Sequence, residues 1–326
     1  MEARERSIGP NCPQDAQAHA LLGLLRLLDA GRYRFITPTP ATHARVRAKL
    51  GRDEARSVED VLGWSLPFAP ELLPPATTEL LRRAGAIEDA ADGRCRATIR
   101  VSALCGRLFL HSAYPTDAED AVFFGPDSYR FAALIADELV RDPPPASARI
   151  VDIGSGAGVG AIVAASIARS PRLIATDVNG KALALAAVNA AAAGVALETI
   201  ETAGMQGVAG EVDVAMLNPP FIADEGERQY RHGGGMHGGQ LSLDLACEAM
   251  GRLVPGGRVI LYTGSAIVDG KDALRAALDD AVDQRGFVMR YRELDPDVFG
   301  EELEQPAYSN VDRIALVAAI VTRPGL

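Results

Sequence analysis

Three glycines at alternate positions form the first candidate site. The apolar segment 150–153 runs into Gly154-Ser155-Gly156-Ala157-Gly158. Glycine at every second position lets a backbone turn tightly and approach a ligand closely. A helix that follows such a turn points its free N–H groups at that ligand. Two cofactors use a turn of this kind, a dinucleotide and S-adenosylmethionine, and the loop alone does not separate them.

Acidic side chains stand at the ends of the two predicted strands around this loop. Asp152 closes the strand before the loop, and Asp177 closes the next strand, where a carboxylate meets ribose hydroxyls. Both cofactors carry a ribose, so Asp177 is compatible with either. The spacing of Gly156, Gly158 and Ala161 also fits the dinucleotide fingerprint G-x-G-x-x-A.

A second motif, Asn218-Pro219-Pro220-Phe221, follows the predicted strand 212–217. Paired prolines are otherwise a common turn signal. Here they stand at the C-terminal end of a strand downstream of a glycine-rich loop, and open parallel sheets bind their ligands at those ends. The combination of loop, acidic strand end and Asn-Pro-Pro-Phe therefore indicates a catalytic site.

These motifs resemble those of a known enzyme class. VDIGSGAG resembles motif I of class I methyltransferases, and NPPF resembles the Asn-Pro-Pro-Tyr/Phe signature of amino-methyltransferases that act on planar nitrogens. ATD and LVPGGR extend the resemblance, which covers residues 120–326. On these motifs the sequence is similar to the release-factor glutamine N5-methyltransferases and to the small methyltransferase domain families. The resemblance implies S-adenosylmethionine as cofactor and methyl transfer to a planar amide or amine nitrogen.

The resemblance also implies roles for single residues. An amide or aromatic amine is a poor nucleophile because its lone pair is delocalised. The side-chain oxygen of Asn218 and the carbonyl of Pro219 would accept hydrogen bonds from its NH₂ group, and Phe221 would stack on the planar group. Thr202 stands where the family often has an acidic residue toward adenine. The cofactor-binding residues implied are Asp152, Gly154, Ser155, Gly156, Gly158, Asp177, Val178, Thr202 and Asn218.

Contacts to the methyl acceptor are expected from three regions. One is Pro220 of the motif itself. Another is Tyr129 in the segment FFGPDSY, for which a buried aromatic linker is an equally good interpretation. The third is the glycine-rich loop 222–240, expected to be mobile. Its reaching residues would be Tyr230, Arg231 and His232. The acidic stretch 295–312 lies on the same side in this topology, and we expect a solvated loop there.

Alternating strands and helices must position these residues. From residue 148 the pattern strand, turn, helix repeats, which predicts a doubly wound, mostly parallel Rossmann-like α/β sheet with an antiparallel hairpin at its C-terminal edge. Residues 1–115 show helical patterns and then a hairpin, which resembles a winged-helix module. We expect an N-terminal domain over residues 1–115 for substrate selection or dimerisation, and a methyltransferase domain over residues 116–326.

Charge and composition disfavour some classes of binding partner. The 326 residues carry a net charge of −10, divided into +3 over residues 1–110 and −13 over residues 111–326. Nucleic-acid binding draws most of its affinity from a basic face, so the acidity disfavours such a partner. The longest apolar run, 314–321, is too short to span a bilayer. The four cysteines are scattered, and no metal site is expected. We expect a cytoplasmic protein without a membrane partner.

The methyl acceptor stays open at this stage. A protein glutamine, asparagine or related amine is favoured by the resemblance. An exocyclic amine of RNA or DNA and the amine of a small secondary metabolite are the alternatives. The N-terminal domain is the element that would choose among them, or form an oligomer.

Overall fold

The computed structural model describes residues 15–51, 53–90, 92–222 and 233–325. The first part of the chain forms four helices, each starting where the sequence offers a cap or a proline. Asp15, Thr39 and Ser57 accept backbone N–H groups at the first three helix starts, and the fourth begins with Pro75. The helices are α1 (Ala16–Ala30), α2 (Pro40–Leu50), α3 (Val58–Leu62) and α4 (Pro75–Arg83).

Two antiparallel hairpins follow these helices. The predicted hairpin consists of β3 (Ile99–Leu104) and β4 (Arg107–Ser112), joined at Cys105-Gly106, both at positive φ. A shorter hairpin of β1 (Ile87–Asp89) and β2 (Cys95–Ala97) precedes it. The sequence patterns did not indicate this first hairpin, because three-residue strands are too short for alternation to stand out.

The remaining chain alternates strands and helices around one large sheet. Its elements are α5 (Pro126–Arg141), β5 (Arg149–Ile153), α6 (Val159–Ala165), β6 (Arg172–Asp177), α7 (Gly180–Ala192), β7 (Leu197–Glu201), β8 (Val212–Leu217), α8 (Gln240–Met250), β9 (Leu253–Val268), β10 (Lys271–Asp272), α9 (Ala273–Asp283), β11 (Val288–Asp295) and β12 (Arg313–Thr322).

The large sheet has the strand order β11-β12-β9-β8-β5-β6-β7. Strands β9, β8, β5, β6 and β7 run parallel, while β12 is antiparallel to both β9 and β11. The predicted fold class, a doubly wound Rossmann-like sheet with an antiparallel C-terminal edge, is confirmed. No helix of the described ranges has the length and apolarity to cross a membrane.

Each face of the sheet has its own hydrophobic cluster. Along β8, Val214 and Met216 enter one cluster, and Ala215 and Leu217 enter the other, as strand alternation requires. The second cluster is covered by α8 and α9. The first continues without interruption into α1 and the β3–β4 hairpin. The N-terminal elements therefore share a core with one face of the sheet, and the division at residue 115 stays a proposal.

Candidate active site

The register of the parallel strands brings the predicted site residues to one edge. Ile153 of β5 pairs with Thr176 of β6 on one side and with Leu217 of β8 on the other. The residues that follow these three positions are Gly154, Asp177 and Asn218. The glycine-rich loop, the acidic strand end and the start of the Asn-Pro-Pro-Phe motif are thus neighbours at the carboxyl edge of the sheet.

The loop glycines all have left-handed backbones, but their surroundings differ. The φ angles are 65° at Gly154, 51° at Gly156 and 79° at Gly158. A Cβ added at Gly154 or Gly156 would meet no atom within 4 Å, whereas one at Gly158 would lie 3.0 Å from Cβ of Ala186. The first two glycines therefore border open space, and the third packs against α7.

Asp152 forms a hydrogen bond with the helix that follows the glycine-rich loop. Its side chain is 1% exposed, and its Oδ2 accepts the N–H of Ala161 at 2.8 Å in the first turn of α6. A Cβ on Gly160 would lie 2.6 Å from Oδ1, so only glycine fits there. Burial raises the pKa of Asp152 to about 7. In the structure this predicted cofactor residue is engaged with the helix that follows the loop.

Asp177 contacts the loop directly. Its Oδ2 accepts the N–H of Gly156 at 2.9 Å and its Oδ1 accepts the N–H of Asn179 at 2.9 Å. Burial raises the pKa of Asp177 above its ordinary value. The contact between this carboxylate and ribose hydroxyls stays a prediction.

Three further predicted cofactor residues lie around this carboxylate. The Ser155 hydroxyl is buried and makes no hydrogen bond to any described residue, and Val178 is 51% exposed despite its apolar side chain. The backbone N–H of Thr202 donates to the carbonyl of Asp177 at 2.9 Å. The open glycine cradle, the unpaired hydroxyl and the exposed valine beside a carboxylate fit an adenosine-bearing cofactor such as S-adenosylmethionine.

The Asn-Pro-Pro-Phe motif continues β8 at the same edge. Asn218 and Pro220 are half-buried and Pro219 is buried. Phe221 is 8% exposed, and its ring lies against β9, where a Cβ on Gly264 would be 2.5 Å from ring atom Cδ2. Gly264, an isolated glycine in an apolar strand, is a site residue that the sequence interpretation missed although such a glycine is a known sign of close approach.

The connection from β11 to β12 closes the site beside Phe221. Phe299, at φ 57°, places its ring centroid 5.6 Å from that of Phe221 at an interplanar angle of 62°. Tyr308 is 1% exposed and its hydroxyl donates to the carbonyl of His237 at 3.3 Å. The expectation of a solvated loop over 295–312 is therefore wrong for this aromatic part. The ring of Phe299 packs against Phe221 of the motif, a contact that local charge patterns do not reveal.

Only some of the residues that we expected to contact the substrate lie in the described part of the chain. Tyr230, Arg231 and His232 lie outside the described residues. The hydroxyl of Tyr129 accepts the N–H of Thr37 at 3.1 Å, and its ring meets Phe124 edge-on at 5.4 Å. Tyr129 thus connects the first turn of α5 to the N-terminal elements, which agrees with the interpretation of its segment as an aromatic linker.

Asn189 of α7 and Asn179, the N-cap residue of that helix, make hydrogen bonds around the loop, and neither was singled out in the sequence. Asn189 is 1% exposed. Its amide donates to the carbonyls of Ala157 at 2.9 Å and Leu110 at 3.1 Å, and its oxygen accepts the N–H of Leu110 at 2.8 Å. Asn179 donates to the carbonyl of Asp120 at 2.9 Å. An asparagine inside the alanine-rich run of α7 was the available signal for the first of these.

Within the ranges that the structure describes, no three side chains of the His, Cys, Asp and Glu types converge as metal ligands would.

Comparison with known proteins gives the family. The model of the methyltransferase small domain matches residues 130–281. The release factor glutamine methyltransferase of Bordetella pertussis is 30% identical over 249 residues, which cover 71% of this chain and 87% of that enzyme. The enzyme of the same name from Deinococcus radiodurans is 31% identical over 146 residues. That match covers 42% of this chain, and the chain spans about half, 51%, of the Deinococcus enzyme.

Two further proteins are similar to this chain at lower sequence identity. Ribosomal protein L11 methyltransferase of Syntrophotalea carbinolica is 29% identical over 238 residues, 68% of this chain and 67% of that enzyme. Among solved structures, Trm5b from Pyrococcus abyssi has a TM-score of 0.49 at 14% identity, covering 74% of this chain and 62% of that one. From the match along most of the Bordetella enzyme, we conclude that this chain belongs to the class I S-adenosylmethionine-dependent methyltransferases of the release factor glutamine methyltransferase type.

Proposed function

We propose that the protein transfers the methyl group of S-adenosylmethionine to the side-chain amide nitrogen of a protein glutamine. The observation that carries the proposal is the strand register that makes Asn218 a neighbour of Gly154 and Asp177. An acceptor held by the Asn-Pro-Pro-Phe motif would then lie beside a cofactor held by the loop. Relatives named for release factor and for ribosomal protein L11 support a protein as acceptor.

In the proposed reaction the main role of the protein is to orient the acceptor amide toward the methyl group. S-adenosylmethionine supplies an electrophilic methyl group when bound. The Oδ1 of Asn218 and the carbonyl of Pro219 would accept hydrogen bonds from the two amide hydrogens of the acceptor, and the rings of the two prolines fix the direction of that carbonyl. The nitrogen lone pair would then point at the methyl group. Because Asn218 is a neutral acceptor, it suits a proton that leaves only after transfer begins.

Phe221 would border the planar amide. Its ring is held between Gly264 and Phe299, so its orientation is fixed before an acceptor arrives. Because the Phe221 ring does not have to rearrange, the entropy cost of aligning the reacting groups is lower. The Asn-Pro-Pro-Tyr/Phe signature that this motif resembles has an aromatic ring in the fourth position, and Phe221 retains that ring.

An amine of a nucleic acid or a small metabolite is the alternative acceptor. The net charge of −13 over residues 111–326 disfavours the binding of a phosphate backbone to this part of the chain. Labelled cofactor, incubated with the protein and an extract from cells that lack it, separates the three classes. We expect label that survives nuclease and is released by protease. Label released only by nuclease, or found only among small molecules, would refute the protein acceptor.

Two variants test the site itself. Asn218→Ala should leave cofactor affinity unchanged in calorimetry and lower the turnover number at least about tenfold, because one well-placed hydrogen bond is lost. Asp177→Ala should instead weaken cofactor binding. Asp213→Ala is the matched control, because Asp213 accepts the N–H of Arg149 at the opposite end of the sheet. Equal turnover in Asn218→Ala and wild type would remove Asn218 from the mechanism.

A further inference from the structure

The first turn of α5 holds a buried carboxylate to which the proposed reaction assigns no role. Asp127 is the second residue of α5 and is 6% exposed. Its Oδ1 accepts a hydrogen bond from the hydroxyl of Tyr262 at 2.8 Å, and Tyr262, on β9, is completely buried. Burial raises the pKa of Asp127 above its ordinary value, so its negative charge is kept at a cost in free energy.

Tyr262 adjoins the Asn-Pro-Pro-Phe motif in two directions. Strands β8 and β9 pair in parallel up to the residues just before Asn218 and Tyr262, so the register brings these two residues side by side. Tyr262 and Gly264 are two residues apart on β9 and therefore share a face of the sheet. The ring of Phe221 rests on Gly264. A shift of Tyr262 would thus disturb both the asparagine and the aromatic ring of the motif.

An ion-pair path leads from Asp127 to the other side of the Phe221 ring. Nη1 of Arg130 lies 3.5 Å from Oδ1 of Asp127, and Nη2 of Arg130 lies 3.6 Å from Oδ2 of Asp295, the last residue of β11. Four residues further along the chain, Phe299 packs against Phe221. Arg130 and Asp295 are partly exposed, and ion pairs of this kind contribute little. The tyrosine hydroxyl is therefore the main partner of Asp127.

Helix capping does not account for this arrangement. The N-cap residue of α5 is Gly125, and its backbone N–H donates to Oγ of Ser128 at 3.3 Å. Within the described ranges, the Asp127 carboxylate contacts side chains of β9 and α5 and none of the free N–H groups at the start of its helix. A carboxylate in the first turn stabilises a helix by its charge alone, and that role would not require the tyrosine.

We propose that Asp127 is a positioning residue for methyl transfer and acts through the hydroxyl of Tyr262. This inference rests on the proposed function. The hydrogen bond fixes the Tyr262 ring beside the motif and ties the first turn of α5 to β9. If either partner is removed, the other polar group is buried without a hydrogen bond and moves to find one, and the ring or the turn moves with it. The groups that align the acceptor amide then lose their alignment, while the cofactor loop is unaffected.

A fluorine spectrum tests this positioning without any methyl acceptor. The chain has nine phenylalanines, and labelling with 3-fluorophenylalanine gives each of them a resonance, of which that of Phe221 is identified by its loss in Phe221→Leu. Asp127→Ala should shift or broaden the Phe221 resonance. Asp127→Asn keeps an oxygen that accepts the tyrosine hydroxyl and should leave the resonance in place. Asp137→Ala, at an exposed position of α5, is the control.

An unmoved Phe221 resonance in Asp127→Ala would overturn the proposal, whether or not the protein methylates glutamine. If Asp127→Ala is unfolded by circular dichroism, Tyr262→Phe gives the same test, because it retains the ring and removes the hydroxyl. Its Phe221 resonance should move as well. An unmoved resonance in a folded Tyr262→Phe variant would equally overturn the proposal.

Rates of methyl transfer separate positioning from a purely structural role. The probe is labelled cofactor with a nuclease-treated extract from cells that lack the protein. Asp127→Ala and Tyr262→Phe should each lower the saturating rate at least about tenfold. The half-saturating amount of extract and the cofactor affinity in calorimetry should not change. Asp127→Asn should retain most of the wild-type rate.

The double variant Asp127→Ala/Tyr262→Phe shows whether the two side chains act through one bond. Because both single variants remove the same hydrogen bond, the double variant should be no slower than the slower of the two. Losses that add in the double variant, or a weaker cofactor affinity in either single variant, would contradict a positioning role of Asp127 through Tyr262.

Discussion

Gly156 and Asp177 form the closest contact between the glycine-rich loop and the second strand of the site. The hydrogen bond from the glycine N–H to Oδ2 fixes the loop against the strand end, and the left-handed φ of 51° turns the free side of the glycine toward open space. If the loop binds the cofactor as proposed, a side chain at this position would meet the cofactor before it met the protein. We therefore expect the absence of a Cβ at Gly156 to matter for cofactor affinity.

Gly156→Ala tests this interpretation against Gly194→Ala. Gly194, after the end of α7, also has a positive φ and open space around a Cβ, but it lies outside the loop. Both variants should lose about 1 kcal/mol of unfolding free energy from backbone strain in urea denaturation. Only Gly156→Ala should weaken S-adenosylmethionine binding in calorimetry. Equal affinities in the two variants would contradict a cradle at Gly156.

Sequence patterns located most of these residues because the signals are local. The strand 212–217 has the predicted bounds, and the glycines and Asp177 occupy the predicted strand ends. The partners of these residues come from distant segments and could not be predicted. Asn189 binds a strand 79 residues away, and the ring of Phe221 is oriented by Gly264 and Phe299. Helix α5 was also missed, since its start within FFGPDSY carries few helix formers.

Helix α7 connects the glycine-rich loop to the β3–β4 hairpin. Asn189 binds the backbone of β4 at Leu110 and the loop at Ala157 with one side chain. At the other end of the helix, Asn179 caps the first turn and binds Asp120, while Lys181 pairs with the Asp120 carboxylate at 3.2 Å. The position of the hairpin is thus set by side-chain hydrogen bonds as well as by the shared core.

Asn189→Ala should be far more destabilising than Asn179→Ala. The first variant leaves the buried N–H and carbonyl of Leu110 without partners and should lower the unfolding free energy by about 3 kcal/mol or more. The second loses the side chain of a half-buried N-cap residue and should cost about 1 kcal/mol. Urea denaturation monitored by circular dichroism measures both. Similar losses would mean that Asn189 does not hold the hairpin.

At the scale of the whole molecule, two buried histidines couple folding to pH. Burial lowers the pKa of His43 to about 4 and that of His111 well below its ordinary value. The unfolded chain has ordinary histidine pKa values of about 6.5. Between these values and the folded-state ones, the unfolded chain binds protons that the folded chain does not. The stability contributed by the neutral rings is therefore complete above about pH 6.5 and is lost as the pH falls toward 4.

His43→Phe should reduce this loss. The phenyl ring can occupy the position beside Tyr114 and does not titrate, so the variant should lose less unfolding free energy than wild type between about pH 7.5 and pH 5. It should keep most of the wild-type stability at the higher pH, because it retains a ring beside Tyr114 and gives up only the hydrogen bond between the imidazole and the Trp64 backbone. His19→Phe, at an exposed position of α1, is the control. Thermal melts at both pH values that shift in parallel for wild type and His43→Phe would contradict the prediction.

The position of β12 has a consequence for synthesis. This strand is the last of the sheet to leave the ribosome, yet it lies between β9 and β11 and is the strand to which β11 pairs. Until residues 313–322 have been made, β9 presents an open apolar edge, and β11 has no strand to join. Such an edge pairs readily with other chains. A premature stop shortly before residue 313 therefore yields a chain that contains every proposed catalytic residue and still aggregates.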